Sequence, residues 1–156
     1  MAPLDVLARA AALGAASGGR STAGITAVTL TSRPGDPWPA RYLGGTTAKV
    51  SAAFSALAEA VVDKLPGVPS RTAAPGLAPR VVFGATAGAI AARRNGSTDP
   101  LVVGGAAALA GAASVAAAFA GTKARAIAAK RFGADLPGAL AEDALVGMLA
   151  WWGSRR

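Results

Sequence analysis

Glu59 and Asp63 stand four residues apart in the segment Glu59-Ala-Val-Val-Asp63-Lys64-Leu-Pro66-Gly67, near the end of an otherwise apolar stretch. Residues at that spacing share one helix face. Two carboxylates on one face can pass a proton, bind a cation or clamp an arginine. The chain offers partners for each: Arg20 lies inside the first apolar stretch, Arg80 opens the third, and Glu142-Asp143 sits one to two turns into the last. An acid at the centre of a bilayer costs roughly 2.5–3.5 kcal/mol, whereas a Leu or Val there returns only about 0.3–0.6. Glu59 is therefore expected to face protein. The economical arrangement is a buried polar cluster of Arg20, Glu59, Asp63, Glu142 and Asp143, with Arg20 pairing acids from two helices. Three readings stay open: charges that lock a bundle together, a proton, ion or headgroup site, and, for Asp63 and Lys64 above all, simple exposure at the membrane interface. A second candidate surrounds the Pro66-Gly67 turn, where Lys64, Ser70, Arg71 and Thr72 could hold a phosphate.

Composition places these groups in a membrane setting. Of 156 residues, 53% are hydrophobic and only 15% charged, against about 25% charged for soluble domains. Mean hydropathy is +0.42, too high for a disordered chain. The net charge is +8, with 12 arginines and 4 lysines. These lie at the edges of apolar stretches rather than in one run, which suits loops beside membrane spans better than nucleic-acid binding. With no Cys and no His, thiol chemistry, haem attachment and nearly every zinc site are excluded. No nucleophile–base pair, metal-ligand spacing or phosphate-binding loop is present. The chain reads as no enzyme, with no catalytic residue, cofactor or metal. The first residues lack the basic start of a cleavable signal.

Five spans are expected. Leu101–Thr122 is uncharged over 22 residues, enough for a bilayer crossing. Asp99 suits an N-cap and Pro100 a first helical position. No strong breaker precedes Gly133, so a basic helical extension to 132 is expected, carrying Lys123, Arg125, Lys130 and Arg131. The other spans are 4–31, 46–62, 77–92 and 136–152. The first is one tilted helix, or two pieces broken at Gly18-Gly19. Arg33 to Pro39 is a loop, because three prolines end any helix. Residues 68–79 read as a proline-rich loop. Five passes put the termini on opposite faces. The second helix carries a four-spaced row, Thr47, Ser51, Ser55, Glu59 and Asp63, that could face one crossing partner. Gly14/Gly18 and Gly84/Gly88 have the spacing that lets helices approach closely. Gly104, Gly111 and Ala118 form a heptad line with the same use. The fold class is thus all-α, a polytopic membrane helix bundle in one domain, 1–156.

Arg20-Ser21, the stretch from Asp63-Lys64-Leu-Pro66-Gly67 through Ser70-Arg71-Thr72, and Leu136-Pro137 with Glu142-Asp143 together resemble the bacterial membrane family called domain of unknown function 4126, in its actinobacterial branch. The resemblance runs along most of the chain. It implies a small multi-pass protein of the inner (plasma) membrane with no established activity, and supports treating Arg20, Asp63, Lys64, Glu142 and Asp143 as one site. The expected role is an accessory or stabilising subunit of a larger cell-envelope complex, with lipid transport in view. Its partners would be the lipid bilayer and other membrane protein subunits. The alternative is a small ion- or proton-coupled transporter or channel using the carboxylate cluster.

Overall fold

Asp99 and Pro100 start the longest helix as their chemistry dictates: the Asp99 side chain accepts from the Leu101 amide at 2.8 Å, and the helix runs from Pro100 to Phe132. It stops at Gly133, whose φ of +68° is the left-handed conformation glycine adopts without strain. In the computed structural model, residues 3–62 and 70–156 are described. Among them the fold is all-α, with seven helices and no strand: α1 Pro3–Gly19, α2 Ala23–Thr31, α3 Ala40–Leu43, α4 Thr46–Val62, α5 Ala74–Arg94, α6 Pro100–Phe132 and α7 Leu136–Gly153. Asp63 and Lys64 lie outside the described residues.

Small side chains bring α1, α5 and α6 together. A Cβ added at Gly14 would meet the Ala110 carbonyl, and one at Gly18 the Ser114 carbonyl. Gly84 and Gly88 of α5 sit equally tightly against Ser114 and against Ala110 and Ala106. Ser114, fully buried at this crossing, donates to the carbonyls of Gly14 and Ala110, both at 2.9 Å. The α6 contact row is thus Ala106, Ala110, Ser114 and Ala118. Gly104 has nothing within 4 Å, and Gly111 makes only ordinary contact with Val81 and Ala85. Of the expected Gly104–Gly111–Ala118 line, Gly111 and Ala118 are buried and Gly104 is not, because four-residue rather than seven-residue spacing follows the face turned to α1.

The first apolar stretch is two helices that double back. Gly24 lies against Ser17 and Leu13, and Leu13 shares a core with Val28. In one straight helix Leu13 and Val28 would be about 22 Å apart. The reversal falls at residues 20–22, just after the glycine pair; Gly18 and Gly19 stay in α1 because α6 and Val146 crowd them too closely for side chains. The extra reversal overturns the expected placement of the termini. Arg9 donates to the Arg155 carbonyl at 2.8 Å, so both terminal regions meet at one end. The basic residues sort to the two ends of the bundle: Arg71, Arg80 and Arg125 line a cavity at one end, and Arg9, Arg33, Arg155 and Arg156 line another at the end where the termini meet.

Two further expectations shift. Residues 74–79 belong to α5 rather than to a loop; Pro75 fills a first-turn position that needs no amide partner, and Pro79 is accommodated inside the helix. On α4, Thr47, Ser51 and Ser55 are exposed, and the partly covered row is Ala48, Ala52 and Ala56, with Thr26 donating to the Ala52 carbonyl. Among the described residues one helix, α6, is long and apolar enough to cross a membrane. The others fall short because α1 and α4 have 17 residues, the turn at 20–22 divides the first stretch, and α5 and α7 carry charges within their length.

Candidate functional site

The turn between α1 and α2 exposes two sets of backbone groups that a helix cannot satisfy by itself: the last carbonyls of α1 and the first amides of α2. The chain answers each with a side chain of the matching charge. Arg80, 6% exposed, reaches from α5 and donates to the carbonyls of Gly18 at 3.3 Å and Gly19 at 3.0 Å. Glu59 reaches from α4 to the other side. Its Oε1 accepts from the Ser21 amide at 2.6 Å and the Ser21 hydroxyl at 2.7 Å. Its Oε2 accepts from the Thr22 amide at 2.9 Å and the Thr22 hydroxyl at 2.5 Å. A cation thus sits at the negative end of one helix dipole and an anion at the positive end of the next.

The remaining charges pair around this turn. Arg20 grips Asp143 of α7 through both oxygens, Nη2 at 2.8 and 3.0 Å and Nε at 2.9 Å. Arg71 pairs with Glu142, and Arg125 of α6 lies 3.9 Å from the other Glu142 oxygen. Arg125 also holds Asp135 with Nε at 3.1 Å and a second contact through Nη2. That hydrogen bond holds the Asp135 carboxyl below its ordinary range. Gly121 leaves the space Glu142 and Arg71 occupy beside α6; a Cβ there would come within 2.6 Å of Glu142 Oε1. Arg20, Glu59, Arg71, Arg125, Glu142 and Asp143 line a cavity of about 630 Å³.

The structure therefore brings Arg20, Glu59, Glu142 and Asp143 to one cleft, and the expected pairing of Arg20 with an acid of the last helix is present. Arg20 takes Asp143, while Glu59 is held by hydroxyls and amides rather than by a cation among the described residues. The Pro66-Gly67 candidate also changes. Arg71 turns to Glu142, and the Ser70 and Thr72 hydroxyls bond each other at 3.0 Å. These three do not converge on a common point. Arg125, Gly121 and the Ser21-Thr22 donors were not expected at the site. The signal for the last was the Ser-Thr pair itself, since such residues favour helix starts.

Chemically, the cleft can hold an anion or a polar headgroup beside its arginines. Its carboxylates are occupied, which suits fixed counter-charges better than groups exchanging protons. Compared with family models, curated proteins and solved structures, the chain matches none.

Proposed function

We propose that this chain is a small multi-pass integral membrane protein of the bacterial plasma membrane, serving as an accessory or stabilising subunit of a larger envelope complex, one that handles lipids. The observation that carries the reading is the apolar outer wall. Twenty-two large hydrophobic side chains are exposed among the described residues, far more than the scattered single residues normal on a soluble surface. Helix α4 buries no residue at all, and its Val50, Phe54, Leu57 and Val61 are each more than 60% exposed. In this reading α6 spans the bilayer fully, and the shorter or charge-bearing α4, α5 and α7 cross beside it where the bilayer thins and bundle neighbours cover their polar groups. The α1–α2 hairpin enters with them, since its charged turn is satisfied inside protein as membrane-depth backbone must be. The residues resembling the domain of unknown function 4126 support the same proposal, and no reaction is assigned. The saturated carboxylates favour a structural use of the cleft.

A second reading draws on one observation, the discontinuous α1–α2 pair with charges at its facing ends. Transporters place ions and substrates at such breaks, so a small ion- or proton-coupled carrier is the alternative. Two measurements separate these functions. Carbonate-washed membranes should retain the protein, and mild solubilisation should recover a partner that Phe54→Ser with Leu57→Ser releases. Quantitative release into the wash would end the membrane reading. Flux in proteoliposomes containing only this chain, abolished by Glu59→Gln with the fold intact, would replace the accessory role by the carrier.

A further inference from the structure

At the end of the bundle opposite the cleft, α7 finishes beside the N-terminal half of α1 and the C-terminus of α2. A second cavity of about 350 Å³ opens there, lined by Arg9, Arg33, Arg155 and Arg156 together with Thr31 and Trp152. Its size lies within the range of roughly 300–1,000 Å³ usual for small-molecule sites. No Asp or Glu side chain among the described residues lines it. The nearest acid, Asp36, is buried and already accepts two bonds from Arg156, at 2.5 and 2.7 Å, and one from the Arg33 amide at 2.9 Å.

The cations differ in what they have left to give. Arg94 is 6% exposed and ties together the ends of α2 and α7: it donates to the Val28 carbonyl at 3.2 Å, to the Thr31 hydroxyl at 2.7 Å and to the Ser154 carbonyl. Arg9 spends Nη1 on the carbonyls of Trp152 and Arg155, at 3.3 and 2.8 Å, and stacks over the Trp152 ring. Those two arginines cancel the carbonyl ends of the helices, each worth about −0.5 charge. Arg33 and Arg155 remain. Neither side chain makes a hydrogen bond or ion pair among the described residues. Arg155 sits over Trp151, its guanidinium carbon 4.1 Å from the ring centroid, a contact that holds the group in place without using its N–H donors.

We infer that this pocket binds a phosphate oxyanion, gripped by the donor edges of Arg33 and Arg155, with Arg9 and Arg156 held at its wall by partners of their own. Planar guanidinium forks match phosphate oxygens bidentately. The same end of the molecule exposes Trp38, Tyr42, Trp151 and Trp152, and Arg93 and Arg41 stack on Trp38 and Tyr42. Aromatic rings of this kind collect at the headgroup level of a bilayer. The phosphate can come from an anionic lipid or from solution, and the inference does not depend on the accessory-subunit reading.

Native mass spectrometry of the full chain in detergent tests it, with three probes: phosphatidylglycerol, a phosphate-free neutral glycolipid and inorganic phosphate. Arg33→Gln with Arg155→Gln removes the two open forks without touching a bond that holds the fold. Lys130→Gln with Arg131→Gln, at the other end, makes the same charge change as a control. Phosphatidylglycerol should bind in preference to the glycolipid. The Arg33/Arg155 variant should weaken that binding about thirtyfold, from roughly fivefold per arginine near an anionic headgroup, and the control should not. Retention of inorganic phosphate, lost in the same variant, identifies a soluble phosphate as the ligand and equally supports the site. Equal binding of all three probes, no binding of either phosphate probe, or equal loss in both variants overturns it.

Discussion

At the cleft end, Arg20, Arg71, Arg80 and Arg125 are directed at carboxylates or at the carbonyls of a broken helix. At the paired-termini end, Arg9 and Arg94 do the same work, while Arg33 and Arg155 keep their donor edges open beside a cavity. A buried charge is tolerable only when its hydrogen bonds are met, so the cleft charges lock the helices that supply them. Charges at an aromatic-rimmed edge have water or headgroups to meet them. Four arginines thus hold the fold at one end, whereas at the other two hold it and two present a field. The difference lies in burial and partners, not in residue type.

The largest expected effect tests the locking end. Arg80→Ala strands two helix-end carbonyls away from water. Charged hydrogen bonds of this kind contribute about 1.5–3 kcal/mol, and breaking a buried charged contact can cost about 3–5. Thermal melts in detergent should show it as the most damaging charge removal in the molecule, with Arg80→Lys recovering only part. A neutral Arg80→Ala would break the comparison. Glu59→Gln comes next, at about 2 kcal/mol, because an amide turns a donor toward amides and hydroxyls that need acceptors. The same melts check it, and Glu59→Ala should be worse.

Asp143→Asn should cost no more than about 1 kcal/mol, since this partner of Arg20 is half exposed and surface pairs are worth little. A loss as large as that of Arg80→Ala would show that Arg20 belongs with the buried lock. Acid titration probes the rim of the cleft. Asp135 is held below its ordinary value of 3.8, so its contribution is fully present above that value and is lost as pH falls through its lower, folded value. Unfolding curves of the wild type and Asp135→Asn should therefore differ slightly at neutral pH and converge below pH 3.8. The smallest effect belongs to the presenting end. Arg33→Gln with Arg155→Gln should leave stability within about 0.5 kcal/mol. A clear destabilisation would mean that these arginines also hold the fold.

Local chemistry made the longer helices legible. α4 occupies 46–62 as expected, α7 begins at Leu136, and α6 obeys its Asp99, Pro100 and Gly133 signals at both ends. These boundaries depend on capping groups and backbone conformations that lie within a few residues of one another. Charge placement was legible for the same reason, because basic residues cluster where apolar runs end.

What the linear order did not disclose was direction and pairing. Gly18-Gly19 reads as a break, yet those glycines are there for close approach to α6 and α7. The chain reverses at Arg20, Ser21 and Thr22 because Arg80 and Glu59, at least 58 and 37 residues away, satisfy the groups the reversal exposes. Arg20 and Arg71 each had several acids within plausible reach; helix order and depth chose Asp143 and Glu142. The sequence alone therefore determined that the protein is helical, apolar and basic at its edges, since those properties follow from residue type and near neighbours. Only the tertiary structure decided which helix end each charge would meet, because that depends on distances between segments remote along the chain.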